Sequence, residues 1–236
     1  MKLIPKATSF ISGGTTIHAE YLLPTATPNG GVIVLAHGSE GMTDNLTGRW
    51  AEMIRDYADE LSHRGFLTLT PFYFEKTGSQ PERIAADFKR HVFNQIVAGR
   101  AAWQAVLADA VAHANTLSSV HPTRVGLLGF SLGGHLCLQL RVMASVLVAF
   151  FAPATGLSDS GRHLTLHAQL HNGDADGFVT ATDVAAIDRM LQAELVIPEL
   201  KTYPKAGHGF IGNDPDNTKA RTESKAQTLA FFTAHL

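Results

Sequence analysis

One serine of this chain stands in a setting that suits nucleophilic chemistry. Ser131 lies in Gly129-Phe-Ser-Leu-Gly133, after the predicted strand Arg124–Gly129 and before residues that can continue as a helix. Between a strand and a helix, Gly-x-Ser-x-Gly makes a tight turn that lifts the serine clear of the sheet, and glycine leaves the room this needs. The pattern predicts a Ser131 hydroxyl able to attack a carbonyl carbon. The alternative is a glycine-rich turn with an incidental serine.

A serine hydroxyl needs a base to remove its proton. His208 is the favoured base among the 12 histidines because it lies between Gly207 and Gly209, after the predicted strand Leu200–Tyr203. Glycines on both sides allow the imidazole to project from a tight loop at the end of the strand. The other histidines are expected to be ordinary surface or core residues.

The base in turn needs a carboxylate that fixes its tautomer. Two aspartates follow the predicted strand Leu164–Leu170, and Asp176 is favoured because it fits Gly-x-x-Asp-x-x-Val, from Gly173 to Val179. Asp174 is expected to stabilise the turn through bonds to backbone N–H groups. The chain order serine, aspartate, histidine is that of a known class of hydrolases.

Acyl transfer also requires donors for the oxyanion of the tetrahedral intermediate. The backbone N–H of Leu132, at the start of the predicted helix, is the first expected donor. The second is the N–H of Ser39, in the loop after the apolar strand Val32–Ala36. His37 is expected to be structural.

Aromatic side chains follow several of the same strands. They predict an apolar pocket for the substrate, and packing near the core explains them equally well. These candidate substrate-binding residues are Phe72, Phe74, Phe178 and Phe210.

No metal site is predicted. His163, His167 and His171 recur every four residues, but the segment is interpreted as a strand and no cysteines or acids accompany it.

Elements with strand and helix periodicity alternate along the chain. The predicted strands are Ala7–Ile11, Thr15–Leu23, Val32–Ala36, Phe66–Thr70, Arg124–Gly129, Val146–Phe151, Leu164–Leu170 and Leu200–Tyr203. The predicted helices run from Trp50 to Leu61, Val97 to Leu117, Leu132 to Met143, Ala181 to Leu191 and Thr218 to Ala234, with a variable helical segment over Pro81–Phe93. This alternation predicts an α/β fold, a mostly parallel sheet with helices on both faces.

Composition favours one globular domain over residues 1–236. The chain has 236 residues, 45% hydrophobic and 17% charged, with a formal net charge of −2. The near-neutral balance argues against nucleic acid as partner, and no apolar run is long enough for a membrane span. The single Cys137 and an N-terminus without a signal-peptide core fit a cytoplasmic protein. A homodimer is left open.

Together AHGSEG, LTLTPFYF, GFSLGG, HNGDADGFV and YPKAGHGF resemble the α/β-hydrolase superfamily, and specifically the dienelactone hydrolase family. The resemblance covers nearly the whole chain from Val32. It implies an α/β-hydrolase fold without a large cap domain. It also implies hydrolysis of a small-molecule ester or lactone through an acyl-enzyme, with no metal or organic cofactor. Thioesterase, peptidase and non-catalytic ligand-binding functions are the alternatives.

Two features depart from the family's best-known members. Those use cysteine as nucleophile where this chain has Ser131, which favours a Ser-Asp-His triad and conventional esterase character. They also carry a glutamate beside the oxyanion loop and arginines that hold a substrate carboxylate. The matching positions here are Gly38, Phe74–Lys76 and Gly212. The carboxylate of a dienelactone substrate would then have to be bound by a cation from elsewhere, Lys76 or Arg83.

Overall fold

The computed structural model describes residues 2–44, 49–84, 86, 94–117, 124–158, 161 and 165–236. The chain divides into two compact units, residues 1–125 and 126–236. The expectation of a single domain stays a prediction, and each unit is described by itself.

The first unit combines an N-terminal hairpin with a strand–helix–strand segment and a long helix. Its elements are β1 (Lys6–Ser12), β2 (Thr15–Leu22), β3 (Val32–Ala36), α1 (Trp50–Ser62), β4 (Leu67–Pro71) and α2 (Asn94–Leu117). The strands lie in the order β1-β2-β4-β3. β1 and β2 are antiparallel, as are β2 and β4, whereas β3 and β4 are parallel. All five residues of β3 and of β4 are buried, as expected for strands covered on both faces.

The turn of the hairpin is held by a lysine. Gly13 and Gly14 have φ of 47° and 80°, as a two-residue turn of this kind requires. The Nζ of Lys76 donates to the carbonyls of Ser12 and Gly13, at 2.7 and 2.9 Å, and lies 3.2 Å from the Thr15 hydroxyl. An ammonium has three N–H donors, so the hairpin engages all of them.

The second unit alternates strands and helices. Its elements are β5 (Val125–Phe130), α3 (Leu132–Gln139), β6 (Val146–Phe150), β7 (His167–Gly173), α4 (Ala181–Ala193), β8 (Glu199–Tyr203) and α5 (Pro215–His235). The strands are parallel in the order β5-β6-β7-β8. α3 packs on β6, and α5 packs on β6, β7 and β8. The predicted strands and helices are present in the described ranges, with the boundary differences given next. The predicted segment Pro81–Phe93 is helical at 81–84 and 86, and its remaining residues lie outside the described ones.

Most observed boundaries lie within one or two residues of the predicted ones, and four elements differ by three or more. α2 begins at Asn94 instead of Val97. β7 runs from His167 to Gly173, and it ends three residues after the predicted Leu170 because the polar residues at its end are buried and hydrogen-bonded and so continue the strand. The predicted start, Leu164, lies outside the described residues. The helix after Ser131 ends at Gln139, followed by a short 3₁₀ turn in which the guanidinium of Arg141 turns inward to pair with the buried Glu194. α5 begins at Pro215 and not at Thr218, because Asp214 caps it and proline suits the first helical position.

A buried histidine joins β7 to its neighbours. His171 stacks on Phe150 with ring centroids 4.3 Å apart. Its Nδ1 lies 2.8 Å from the Tyr203 hydroxyl and its Nε2 lies 2.7 Å from Oε1 of Gln169. The amide nitrogen of Gln169 donates to Glu199, which turns Oε1 toward the imidazole, so Nε2 carries the proton and Nδ1 accepts from Tyr203. Burial lowers the pKa of His171 to about 3, with the Lys201 charge adding to the shift.

This histidine predicts a pH-dependent stability. The unfolded chain protonates His171 near its ordinary pKa of about 6.5, whereas the folded protein keeps it neutral. The free energy of unfolding should therefore fall as the pH drops from about 6.5 to about 4, by up to roughly 1.4 kcal/mol per pH unit for this group. Urea titrations over this range should give a shallower slope for His171→Gln than for the wild type. Equal slopes would contradict a neutral buried His171.

Candidate active site

Ser131 occupies a sharp turn between β5 and α3. Its φ of 52° and ψ of −115° lie in a region of backbone conformation that residues other than glycine rarely adopt. Its N–H donates to the carbonyl of Phe150 at 2.9 Å, and its carbonyl accepts from His135 at 3.0 Å. A Cβ on Gly129 would lie 2.3 Å from the carbonyl oxygen of Gly133. The turn therefore closes only with glycine at position 129.

His208 lies against the serine. Its Nε2 is 3.1 Å from the Ser131 Oγ, and its Nδ1 is 2.8 Å from Oδ2 of Asp176. The Asp176 side chain is fully buried, and that of His208 is 16% exposed. Because a carboxylate only accepts, Nδ1 carries the proton and donates to it, which leaves the Nε2 lone pair to accept from the Ser131 hydroxyl.

The other oxygen of Asp176 is held by the backbone. Oδ1 accepts from the N–H groups of Phe178 and Val179, at 2.8 and 2.9 Å. The amide nitrogen of Asn172 closes the same loop by donating to the carbonyls of Gly173 and Val179. A carboxylate held in this way keeps a fixed orientation toward His208.

The aspartate loop and the histidine loop are bound to each other. Asp174 N–H donates to the Tyr203 carbonyl and Ala175 N–H donates to the Ala206 carbonyl, both at 3.1 Å. The Asp174 carboxylate accepts from the Lys205 N–H. Asp174 thus bonds to backbone, as the sequence led us to expect, and Asp176 is the aspartate that reaches His208. A Cβ on Gly173 would lie 2.0 Å from the Ala206 oxygen, so the two backbones meet where only glycine fits.

Helix α5 supports the histidine loop through two side chains that the sequence analysis missed. Oδ1 of Asn217 accepts from the Gly207 N–H at 3.0 Å. The guanidinium of Arg221 donates to the carbonyls of Phe210 and Gly212. The sequence does contain a signal for Asn217. Asp214 followed by Pro215 is typical of a helix start, which places Asn217 in the first turn of α5, close to this loop.

Aromatic rings surround the imidazole. Phe151, another residue that the sequence analysis missed, has φ of 36° and lies with its ring centroid 5.0 Å from that of His208. Phe178 lies 5.3 Å from His208 and is 48% exposed. Phe210 is buried and contacts Phe151 and Tyr203, at 5.4 and 5.1 Å between centroids. Of the predicted pocket residues, Phe178 is therefore the exposed one that contacts the histidine.

The N-terminus of α3 offers a positive end beside the serine. Leu132 is the first residue of this helix, and the first N–H groups of a helix have no intrahelical partner. The helix dipole adds partial positive charge at the same place. An oxyanion formed at Ser131 would meet this environment.

The remaining predicted residues lie in the first unit. Ser39 lies in the loop after β3, and its donation to an oxyanion stays a prediction. His37 is buried, stacks on Tyr73 at 3.9 Å and bonds the Gly38 carbonyl through Nδ1. Burial lowers the pKa of His37 to about 4, partly offset by that bond, so its imidazole is neutral near pH 7.

The two first-unit aromatics differ in burial. Phe74 is 5% exposed and packs against Trp103, with ring centroids 5.0 Å apart, as core packing would predict. Phe72 is half-buried, and its N–H donates to the His18 carbonyl. Their substrate contacts stay predictions. Lys76 is committed to the hairpin, and Arg83 is exposed.

Metal-ligating side chains are dispersed in the described part of the chain. No group of three or more His, Cys, Asp and Glu is placed there to hold a metal ion. His167 stacks on His235, whereas His163 lies outside the described residues. Burial raises the pKa of the Cys137 thiol. None of the helices in the described ranges is long and apolar enough to cross a membrane.

Comparison of the sequence with models of protein families shows the family of the chain. The model of the dienelactone hydrolase family matches residues 17–236. The chain belongs to this family. It is also similar to a candidate carboxymethylenebutenolidase from Synechocystis sp., at 25% identity over 178 residues, 67% of this chain and 70% of that protein.

Solved structures of dienelactone hydrolase family proteins share the fold. A candidate dienelactone hydrolase from Klebsiella pneumoniae matches with a TM-score of 0.75 and 21% identity, over 98% of this chain and 99% of that one. The dienelactone hydrolase from Anabaena variabilis matches with a TM-score of 0.67 and 20% identity, over the full length of both. These matches confirm the predicted α/β-hydrolase fold. The described residues contain no insertion of the size of a cap domain.

The requirement for glycine at position 129 of the serine turn can be tested by measuring stability. Gly129→Ala should destabilise the protein by several kcal/mol, because the added methyl group collides with the Gly133 carbonyl. Gly177→Ala is the matched control, since a Cβ there meets nothing within 4 Å. Urea unfolding of the two variants measures the difference. Equal stability would show that the turn tolerates a side chain at position 129.

Proposed function

We propose that this protein is a serine hydrolase that cleaves a carboxylic ester or lactone through an acyl-enzyme. Ser131 is the nucleophile, His208 is the general base and acid, and Asp176 orients the imidazole. The observation that carries the proposal is the continuous chain of hydrogen bonds from the Ser131 hydroxyl through His208 to Asp176. Membership of the dienelactone hydrolase family supports the reaction class.

Acylation begins when Nε2 of His208 takes the Ser131 proton as Oγ attacks the ester carbonyl. The new C–O bond converts the carbonyl oxygen into an oxyanion, which the Leu132 N–H and the helix dipole stabilise. The imidazolium is stabilised by Asp176, whose charge is held by two backbone N–H groups. The tetrahedral intermediate then collapses, the bond to the leaving oxygen breaks, and Nε2 returns the proton to the leaving alcohol.

Deacylation repeats the same steps with water. His208 removes a proton from water, the hydroxide attacks the acyl carbon, and a second tetrahedral intermediate forms at the same oxyanion site. Its collapse releases the carboxylic acid and returns the proton to Ser131. Each step uses only groups of the chain and water.

The nucleophile is tested first. Wild-type protein should hydrolyse p-nitrophenyl acetate and become labelled by a fluorophosphonate at Ser131. The Ser131→Ala variant should not be labelled, and its kcat/KM should be lower by at least roughly 10³-fold. Circular dichroism and urea unfolding should show that the variant remains folded. A wild-type protein that neither labels nor turns over the ester would favour the non-catalytic, ligand-binding alternative.

The choice of aspartate is tested by a matched pair. Asp176→Asn should lower kcat by up to about 10⁴-fold, because an amide no longer fixes the imidazole tautomer. Asp174→Asn keeps an oxygen that can accept from the Lys205 N–H and should lower kcat far less. The measurement is kcat for p-nitrophenyl acetate in both variants. The reverse order would reassign the acid to Asp174.

A further inference from the structure

An exposed aromatic ring lies against the proposed general acid. The centroid of Phe178 is 5.3 Å from that of the His208 imidazole, with an interplanar angle of 63°. Phe151 makes a similar edge contact at 5.0 Å, but only 2% of it is exposed, against 48% of Phe178. A substrate that reaches His208 from solvent can therefore contact Phe178 directly.

The backbone of Phe178 is fixed by the same carboxylate that orients the histidine. Its N–H donates to Oδ1 of Asp176 at 2.8 Å, while Oδ2 bonds His208. The Asp176 carboxylate thus connects the backbone of Phe178 to the imidazole of His208. The hydrogen bond to Asp176 fixes the position of the Phe178 backbone, from which the half-exposed ring contacts His208.

We propose that Phe178 forms the leaving-group subsite and selects esters whose alcohol portion is aromatic or bulky and apolar. This inference rests on the proposed function. In that reaction the leaving oxygen must come within about 2.6–3.2 Å of Nε2 to receive its proton. The carbon attached to this oxygen then lies within reach of a ring centred 5.3 Å from the imidazole.

The chemistry of the same loop favours an uncharged alcohol portion. Ile211, three residues after His208, is 42% exposed and adds apolar surface. The guanidinium of Arg221, which contacts this loop, donates to the Phe210 and Gly212 carbonyls and to the Thr218 hydroxyl. Its hydrogen bonds thus hold the loop, and the ring that contacts His208 from an exposed position in the described part of the chain is that of Phe178.

The test compares two acetates that share the acyl group. Benzyl acetate and methyl acetate form the same acetyl-enzyme and release alcohols of similar acidity, so their kcat/KM ratio reports on contacts with the alcohol portion. Phe178→Ala should lower the benzyl-to-methyl ratio about tenfold, and Phe178→Leu, which keeps apolar surface, should lower it less. Cyclohexylmethyl acetate shows whether the ring must be aromatic or only apolar.

An exposed apolar residue elsewhere supplies the matched control. Ile197 is 87% exposed and precedes β8, whereas His208 follows the other end of that strand. Ile197→Ala should keep the wild-type ratio. A control that lowers the ratio as much as Phe178→Ala would overturn the assignment.

The outcomes separate this inference from the proposed function. Hydrolysis that is absent from the wild type, or unchanged in Ser131→Ala, would defeat the proposed function and the inference with it. Hydrolysis that needs Ser131, with kcat/KM for both acetates lowered equally in Phe178→Ala, would overturn the inference alone. In that case Phe178 would only hold His208 in place. A selective loss on benzyl acetate supports the subsite.

Discussion

The 2.8 Å separation of Asp176 and His208 depends on the contact between two loops, one after β7 and one after β8. The backbones meet where Gly173 faces the Ala206 carbonyl, and two backbone hydrogen bonds and the Asp174 carboxylate join them. A hydrogen bond between side chains weakens when donor and acceptor separate beyond about 3.2 Å and is lost by about 3.6 Å, so loops that shifted independently could not maintain it. Their direct attachment gives the imidazole a constant partner.

The end of β6 relates this pair to the nucleophile. The Phe150 carbonyl accepts from the Ser131 N–H, and the Phe151 N–H donates to the His171 carbonyl at 2.7 Å. The left-handed backbone of Phe151 turns its ring onto His208. Two consecutive residues thus contact the serine turn, β7 and the histidine, and below them the neutral His171 bonds Gln169 and Tyr203 across β7 and β8.

Much of this arrangement can be predicted from the sequence because it depends on local patterns. Gly-x-Ser-x-Gly after an apolar strand requires one kind of turn, and the buried strands are continuous apolar runs. The end of β7 could not be placed, because His171 and Asn172 are polar and their burial depends on partners distant in sequence. Phe151, Asn217 and Arg221 were missed for the same reason. Phe151 carries no motif, and the contacts of all three with the histidine loop exist only once the chain has folded.

The bond from the Phe178 N–H to Asp176 also bears on how such a protein can diverge. Every amino acid except proline carries this N–H, so the carboxylate keeps its partner whichever side chain stands at position 178. The side chain itself is half exposed. At position 178 the hydrogen bond to Asp176 therefore depends on the backbone, which nearly every residue type supplies, whereas the exposed surface depends on the side chain, which differs between residue types. For the proposed hydrolase, a single substitution at this position can therefore change the surface offered to a substrate while the hydrogen bond that orients Asp176 is kept.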